Sequence, residues 1–361
     1  MKKILVLGCT GSIGKNTLDV IRNMSGEFSA AGLSAHTNIK LLSQLAKEFN
    51  CEYSLTSRDG SEGIKKLIDK CRPDIVVNGI AGSAGLEPSR LVLEQGIDLA
   101  LANKETIVMA AHLVQSLAKK NKCSIIPVDS EHSAIFNLAE RYGNENIENI
   151  IITASGGPFR TWPKEKLAHI KLEDALKHPT WNMGRKITVD SASLANKGLE
   201  VIEACRLFHF PVQKIQVVVH PQSLVHSIIR TKDGVMYAQI SEPDMKHPII
   251  SALTWPDIIP NYMKKFDLFD IEMTFYKPRS EDFPMLQLAF DAAEKKGGYA
   301  IAYNAANEVA VDAFIAGKIG FTDIPRVASS VLERDWTKEA KDFKDVFAFD
   351  KEARRYAEEA L

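Results

Sequence analysis

With 361 residues and a mass of 40.0 kDa, the chain is long enough for two or three domains and a sizeable buried core. Its 45 Lys and Arg balance 46 Asp and Glu, which leaves no basic surplus to hold nucleic acid or an anionic membrane. A hydrophobic content of 45% is ordinary for a soluble globular protein, and no apolar run is long enough to span a bilayer.

The chain opens on a strand, so no signal or transit peptide is expected. Residues 2–21, KKILVLGCTGSIGKNTLDVI, read as an apolar strand, a glycine turn and a helix with Ile13, Thr17, Val20 and Ile21 on one face. Gly8, Gly11 and Gly14 are spaced G-x-x-G-x-x-G, a variant of the dinucleotide fingerprint. Missing Cβ atoms there let the backbone approach a pyrophosphate at a helix N-terminus, with Thr10 and Ser12 as added hydroxyl donors. A tight turn that binds nothing is the alternative. FSAAGLSA (28–35) leads into a helix from Asn38, DIVVNGI (74–80) ends at the glycine-rich AGSAGLEPS, and IDLALANKET (97–106) closes on Asn103-Lys104-Glu105. This alternation predicts a parallel, doubly wound sheet. Lys104 and Glu105 fall at a strand's C-terminal end, where an ion pair at a helix start and a functional role both account for them.

PVDSEHSAI (127–135) places Asp129, Ser130, Glu131 and His132 directly after the apolar run Ile125–Val128. If the extended geometry continues through 131, Asp129 and Glu131 share a face. Two converging carboxylates are costly without a cation and point to a Mg²⁺- or Mn²⁺-type site; a solvated loop is the plainer alternative. NIIITASGGPFR (149–160) is a strand running into Ser155-Gly156-Gly157, either an anion nest or a plain turn. In HPTWNMGRK (178–186), Trp181 and Met183 lie between Pro179 and Gly184, as a core plug or as a lid that excludes water.

On the helix expected after Asp190, Asn196 and Glu200 are spaced i,i+4 and Lys197 and Glu200 i,i+3. A surface Lys–Glu pair explains this; so does Glu200 as a third carboxylate ligand, with Ser191, Asn196 and Lys197 as anion donors. IQVVVHPQ (215–222), LVHSIIR (224–230) and VMYAQIS (235–241) read as strands, the last two joined at the D-G turn of a hairpin. Residues 255–284 lack periodicity, and from about 285 the chain reads as helical, with no obvious chemistry of its own. The five cysteines form no C-x-x-C pair and are expected as reduced thiols of a cytoplasmic protein.

Three classes of function fit these features. They are a metal-assisted NAD(P)-dependent enzyme acting on an anionic substrate, a metal-independent dehydrogenase of the aldehyde or homoserine type, and a non-catalytic nucleotide sensor. Only the first gives a reason for carboxylates at a strand end together with Lys, Asn and Glu on one helix face.

GCTGSIG, LANKE, PVDSEHSAI, TASGGPF, HPTWNMG, VDSASLANKGLEVIEA, HPQS and NAANE follow one another from residue 8 to residue 308. In that order they resemble the 1-deoxy-D-xylulose 5-phosphate reductoisomerase family. The resemblance implies a Rossmann-like NADPH domain over 1–128 and an α+β catalytic and dimerisation domain with the lid over 129–254. A connecting segment (255–284) and a C-terminal helical domain (285–361) would follow, in a V-shaped homodimer. The implied reaction rearranges the phosphorylated sugar 1-deoxy-D-xylulose 5-phosphate and reduces it with NADPH to 2-C-methyl-D-erythritol 4-phosphate, in isoprenoid precursor biosynthesis. Asp129, Glu131 and Glu200 would hold a divalent cation (Mg²⁺, Mn²⁺ or Co²⁺). Lys104, Ser130 and Glu131 would contact substrate hydroxyls, and Lys104, Glu131 and His178 would be the catalytic residues. Ser155, Ser191, Asn196 and Lys197 would hold the phosphate, joined by His178 as the lid closes. Thr10, Gly11, Ser12, Ile13 and Asn38 would contact NADPH, with its nicotinamide near Asn103, Glu105 and Gly184. Many relatives carry Gly-Lys-Asn after the second strand where this chain has His36-Thr37-Asn38, so a weaker NADPH preference is expected here.

Overall fold

In the computed structural model, which describes residues 1–181 and 183–361, the first apolar run is strand β1 (Lys2–Leu7), in which Ile4, Leu5, Val6 and Leu7 are wholly buried. Asn182, inside the expected lid, lies outside the described residues. The chain divides into two units, the first made of Met1–Thr106, His112–Phe136 and Asp244–Asp267. The second comprises Ile107–Ala111, Asn137–Pro243 and Leu268–Leu361.

In the first unit β1 is followed by α1 (Ser12–Asn23), β2 (Phe28–Ala35), α2 (Ile39–Glu48), β3 (Glu52–Leu55), α3 (Thr56–Cys71) and β4 (Ile75–Asn78). Then come α4 (Leu86–Glu94), β5 (Asp98–Leu101), α5 (Lys104–Asn121), β6 (Ile125–Pro127) and α6 (Ser130–Tyr142). The six strands form one parallel sheet ordered β3-β2-β1-β4-β5-β6. Helices cover both faces, which is why the central strands are continuous apolar runs and not alternating ones. The short strand β3 lacks such a run, and the sequence reading passes over it. Strand order reverses between β1 and β4, the switch point at whose carboxyl edge doubly wound sheets open a ligand crevice.

The structure corrects the reading of residues 127–131. Strand β6 stops at Pro127, and α6 starts at Ser130, so Asp129 and Glu131 are not alternate residues of one strand. Asp129 instead caps α6, its Oδ1 accepting from the amides of Glu131 at 3.1 Å and His132 at 3.3 Å.

The second unit contains β7 (Ile147–Ala154), α7 (Leu172–Ala175), α8 (Arg185–Ala192), α9 (Ala195–Leu207), β8 (Ile215–Val219), β9 (Val225–Thr231) and β10 (Met236–Ile240). Helix α10 (Lys246–Thr254) belongs to the first unit, where Ile249, Ile250 and Leu253 join the apolar core of Val6, Leu18 and Ile126. In the second unit, α11 (Met285–Lys295), α12 (Tyr299–Ile315), α13 (Asp323–Leu332) and α14 (Phe343–Glu359) follow. Its sheet is ordered β10-β9-β7-β8, with β7 and β8 parallel and β9–β10 the hairpin expected at the D-G turn, Gly234 having φ +88°. A helix already runs through Asp190 as α8, where the reading places one only after it. Residues 255–284 contain no helix or named strand, only the bridge Val219–Tyr276. Helix α12 is buried on nearly every face, so it forms the centre of the helical layer. Among the described residues no helix is long and apolar enough to cross a membrane.

Candidate active site

The glycine turn between β1 and α1 shows three different reasons for glycine. Gly8 has φ +77° and faces the Gly79 carbonyl across the switch point, where a Cβ would come within 2.9 Å. At Gly14 a Cβ would lie 2.4 Å from the Cys9 Cα, so this glycine is what lets α1 rest on the strand end. Gly11, by contrast, has among the described residues only the Gly8 carbonyl near, 3.3 Å from an added Cβ, leaving its outer side open at the helix N-terminus. Thr10, Ser12 and Ile13 surround that opening, with Ile13 against Gly79. Asn38 caps α2 through Oδ1, which accepts from the Leu41 amide at 3.1 Å. Its Nδ2 is the donor left for a ligand.

At the end of β5, Asn103 works inside the protein. Its Nδ2 donates to the carbonyls of Ile80 and Gly82 and to Glu105 Oε2, while its Oδ1 accepts from the Thr106 amide and hydroxyl. These bonds tie the AGSAG loop to α5 and fix Lys104 at the start of the helix. The buried Lys104 ammonium donates to Asp129 Oδ2 at 2.9 Å, and buried His132 places Nδ1 3.0 Å from the other oxygen, Oδ1. Glu131 accepts from its neighbour, the Ser130 hydroxyl, at 2.7 Å. Within this unit, therefore, Lys104, Asp129, Ser130 and Glu131 form one polar group, with His132 a member the sequence reading left without a role. Once Asp129 caps α6, a histidine three residues on faces back onto it.

In the second unit Ser155, His178 and Ser191 meet. His178 Nε2 is 3.0 Å from Ser155 Oγ and 3.1 Å from Ser191 Oγ. Its Nδ1 accepts two backbone N–H groups, from Thr180 at 3.1 Å and Trp181 at 2.8 Å. An acceptor Nδ1 fixes a neutral ring with its proton on Nε2. That proton goes to the serine oxygens, which leaves both hydroxyl hydrogens for an anion. Gly156 and Gly157 have φ +82° and +66°, and a Cβ on Gly157 would lie 2.8 Å from the Ser191 carbonyl, so the glycines let the β7 end approach α8. Trp181 is half-buried with its ring 6.4 Å from that of His226, Met183 is half-buried, and Gly184 is exposed at the N-terminus of α8.

Burial pushes the His178 pKa down from 6.5 to about 4. Above pH 6.5 the ring is neutral in folded and unfolded chains alike and adds no pH dependence. As pH falls from 6.5 towards 4 the unfolded chain takes up the proton first, so stability is lost through that window and levels off below it. The loss should be about 1–2 kcal/mol after discounting for the ring's partial exposure. Urea unfolding at pH 7 and 4.5 should show it in the wild type, and His178→Gln should have the shallower slope; parallel slopes would refute a buried neutral ring.

On α9, Asn196 Nδ2 donates to Glu200 Oε1 at 2.6 Å, and the buried Lys197 ammonium pairs with Glu200 Oε2. Glu200 itself is wholly buried. The Lys–Glu pair is thus internal and not a solvated surface pair.

Three sequence models of one family match the chain. Those described as 1-deoxy-D-xylulose 5-phosphate reductoisomerase, its C-terminal domain, and DXP reductoisomerase C-terminal domain match residues 4–59 with 52–111, 125–208 and 240–356 respectively. The 1-deoxy-D-xylulose 5-phosphate reductoisomerase of Treponema denticola is 52% identical over 99% of this chain and 96% of its own length. The chain belongs to the 1-deoxy-D-xylulose 5-phosphate reductoisomerase family. The reductoisomerase of Treponema pallidum is 46% identical over 99% of this chain and 96% of its own. A crystal structure of DOX-P reductoisomerase in complex with NADPH, fosmidomycin and magnesium superimposes with a TM-score of 0.91 at 35% identity, covering 100% of this chain and 98% of that one. The reductoisomerase from Zymomonas mobilis in complex with NADPH gives 0.89 at 36% identity, over 99% and 98%.

Proposed function

We propose that the chain converts 1-deoxy-D-xylulose 5-phosphate to 2-C-methyl-D-erythritol 4-phosphate with NADPH and a divalent cation. The observation that carries this is the 52% identity to a reductoisomerase over 99% of the chain. It favours this reaction over a metal-independent dehydrogenase of the aldehyde or homoserine type. The residues fit both groups. The open side of Gly11 leaves a cradle that a Cβ would fill, beside the helix N-terminus that favours a pyrophosphate. The proposed cation ligands are Asp129, Glu131 and Glu200, hard oxygen donors of the kind Mg²⁺ and Mn²⁺ take. Asp129 and Glu200 are each matched to a lysine ammonium, which marks them as places built for positive charge. When bound, NADPH supplies the hydride and the cation acts as a Lewis acid on the ketose oxygens.

The chain's own groups then orient the substrate and move protons. Lys104, Ser130 and Glu131 hold its hydroxyls, with the Lys104 Nζ proton available to a substrate oxygen. The hydroxyls of Ser155 and Ser191, the side-chain amide of Asn196 and the ammonium of Lys197 hold the phosphate, with His178 kept neutral as a donor. The stretch His178–Gly184 closes over the bound sugar and excludes water. A homodimer fits the edge strand β10, where Met236 and Ile240 are exposed. NADPH oxidation that depends on deoxyxylulose phosphate and stops with chelator supports the proposal; oxidation indifferent to chelator rejects it.

Cofactor choice supplies a separate check. No acidic residue lies between Gly32 and Lys40 to favour a ribose 2′-hydroxyl, and the α2 N-terminus favours the 2′-phosphate of NADPH. One charge-assisted hydrogen bond from the exposed His36-Thr37-Asn38 turn supports about a tenfold preference for NADPH over NADH. Aspartate caps a helix as well as asparagine does, so Asn38→Asp should keep stability and erase or reverse that preference. Equal kcat/KM for the two cofactors in the wild type, or an unchanged ratio in the variant, would sink this idea.

A further inference from the structure

The NAANE stretch lies in the helical layer, away in sequence from every residue given a role above, yet α12 reaches α8 and α9. Asn307, wholly buried, donates from Nδ2 to Asp190 Oδ1 at 2.8 Å. Asp190 is itself buried, and its other oxygen accepts from Lys186 at 2.8 Å. One turn earlier on α12, the buried Tyr303 hydroxyl donates to the Met285 carbonyl at 3.1 Å and lies 3.4 Å from the Ala195 carbonyl. A Cβ on Gly198 would come within 2.5 Å of that hydroxyl, so α9 is pressed onto α12 at this point.

Tyr303 and Asn307 therefore hold the two sides of the α8–α9 junction. The junction needs holding. Its central residue, Leu194, has φ +61°, a left-handed conformation that an L-residue with a branched side chain keeps only when its surroundings impose it. Ser191 precedes the junction, and Asn196 and Lys197 follow it, so a small relaxation at Leu194 would move these donors relative to one another. Donors that have to meet one anion together lose affinity when their spacing drifts.

We infer that Asn307 is a positioning residue for the phosphate group of the substrate, acting through Asp190 on Ser191 and its partner His178. The inference rests on the reading of Ser155, His178 and Ser191 as an anion site. It assigns to the NAANE stretch a part in substrate affinity and none in cofactor binding.

The test uses the full chain, inorganic phosphate as the probe and calorimetry as the readout, with NADPH titrated in parallel. Asn307→Leu keeps the branching at Cγ and removes the donor, so phosphate affinity should fall about tenfold while NADPH affinity is unchanged. In the enzyme assay KM for the sugar phosphate should rise more than kcat falls. Added to Ser191→Ala, the substitution should weaken phosphate binding little further, because both act on one group. A folded Asn307→Leu protein that binds phosphate as the wild type does overturns the inference. Should that variant not fold, Asn307→Asp sets two carboxylates against each other, and the exchange Asp190→Asn with Asn307→Asp restores one donor and one acceptor. Recovery of phosphate affinity in the exchange supports the positioning role, and an exchange no better than Asn307→Asp alone overturns it. If Ser191→Ala leaves phosphate binding untouched, the anion-site reading itself fails and the inference falls with it. Loss in Ser191→Ala with none in Asn307→Leu rejects the inference alone.

Discussion

Glu200→Gln should lower turnover by about a thousandfold or more, as loss of a charge that holds a catalytic cation does. It should also destabilise the fold. Carboxylates that merely repelled one another would make the neutral variant more stable, and the sequence alone allows that outcome. In the structure Glu200 is wholly buried and accepts from Asn196 and from the Lys197 ammonium, which is 5% exposed. Removing the carboxylate takes a buried counter-charge from that ammonium, a change that typically costs about 3–5 kcal/mol. The two effects separate in the double variant Lys197→Met with Glu200→Gln, whose neutral pair should recover most of the melting temperature and none of the turnover. Assays belong at a temperature where circular dichroism shows each variant folded. Normal turnover of folded Glu200→Gln at low Mg²⁺ would remove Glu200 from the proposed ligands.

Gly14→Ala should damage the first unit severely for a single methyl group. The added carbon would lie 2.4 Å from the Gly8 carbonyl oxygen and 2.4 Å from the Cys9 Cα. Both are backbone atoms of the strand end, so no side-chain rotation relieves the contact. Helix α1 has to lift off the sheet, uncovering Leu18 and Ile21, and the expected loss is about 3 kcal/mol or more, with loss of NADPH binding. Gly11→Ala makes the informative contrast. Among the described residues its only close neighbour is the Gly8 carbonyl at 3.3 Å, and its φ of −79° suits any residue. Stability should change by less than about 1 kcal/mol, while the new methyl group occupies the approach to the helix N-terminus and weakens NADPH by about tenfold or more. Thermal melts and a fluorescence titration of NADPH decide the matter. A Gly11→Ala protein with unchanged NADPH affinity would show that the pyrophosphate does not lie against this turn.

The features legible in the sequence are those that depend on near neighbours. An apolar run followed by spaced glycines and an amphipathic segment defines a strand, a turn and a helix, because burial on a sheet and on a helix face have fixed periods. The same logic gives the D-G hairpin of β9 and β10, the Asn38 cap and the C-terminal helices. It fails at Asp129, where strand and helix compete over three residues. A strand geometry would send Asp129 and Glu131 to one side; the aspartate instead satisfies the first amides of α6, as unpaired N–H groups at a helix start require. No local pattern separates the two outcomes there.

Residue types and order by themselves determined the doubly wound sheet, the strand, glycine turn and helix that open it, and the candidate donors and carboxylates. Only the tertiary structure decided how those groups are balanced against one another. Lys104 meets Asp129 across 25 residues, and Asn307 meets Asp190 across 117, bonds that exist because packed elements bring the ends together. The neutral state of His178 likewise follows from two amides of its own loop and two serines on separate elements. Local sequence sets dihedral preference and which face is apolar; which buried charge finds which partner depends on the packing of the whole unit, since an unpartnered one would be too costly to keep inside.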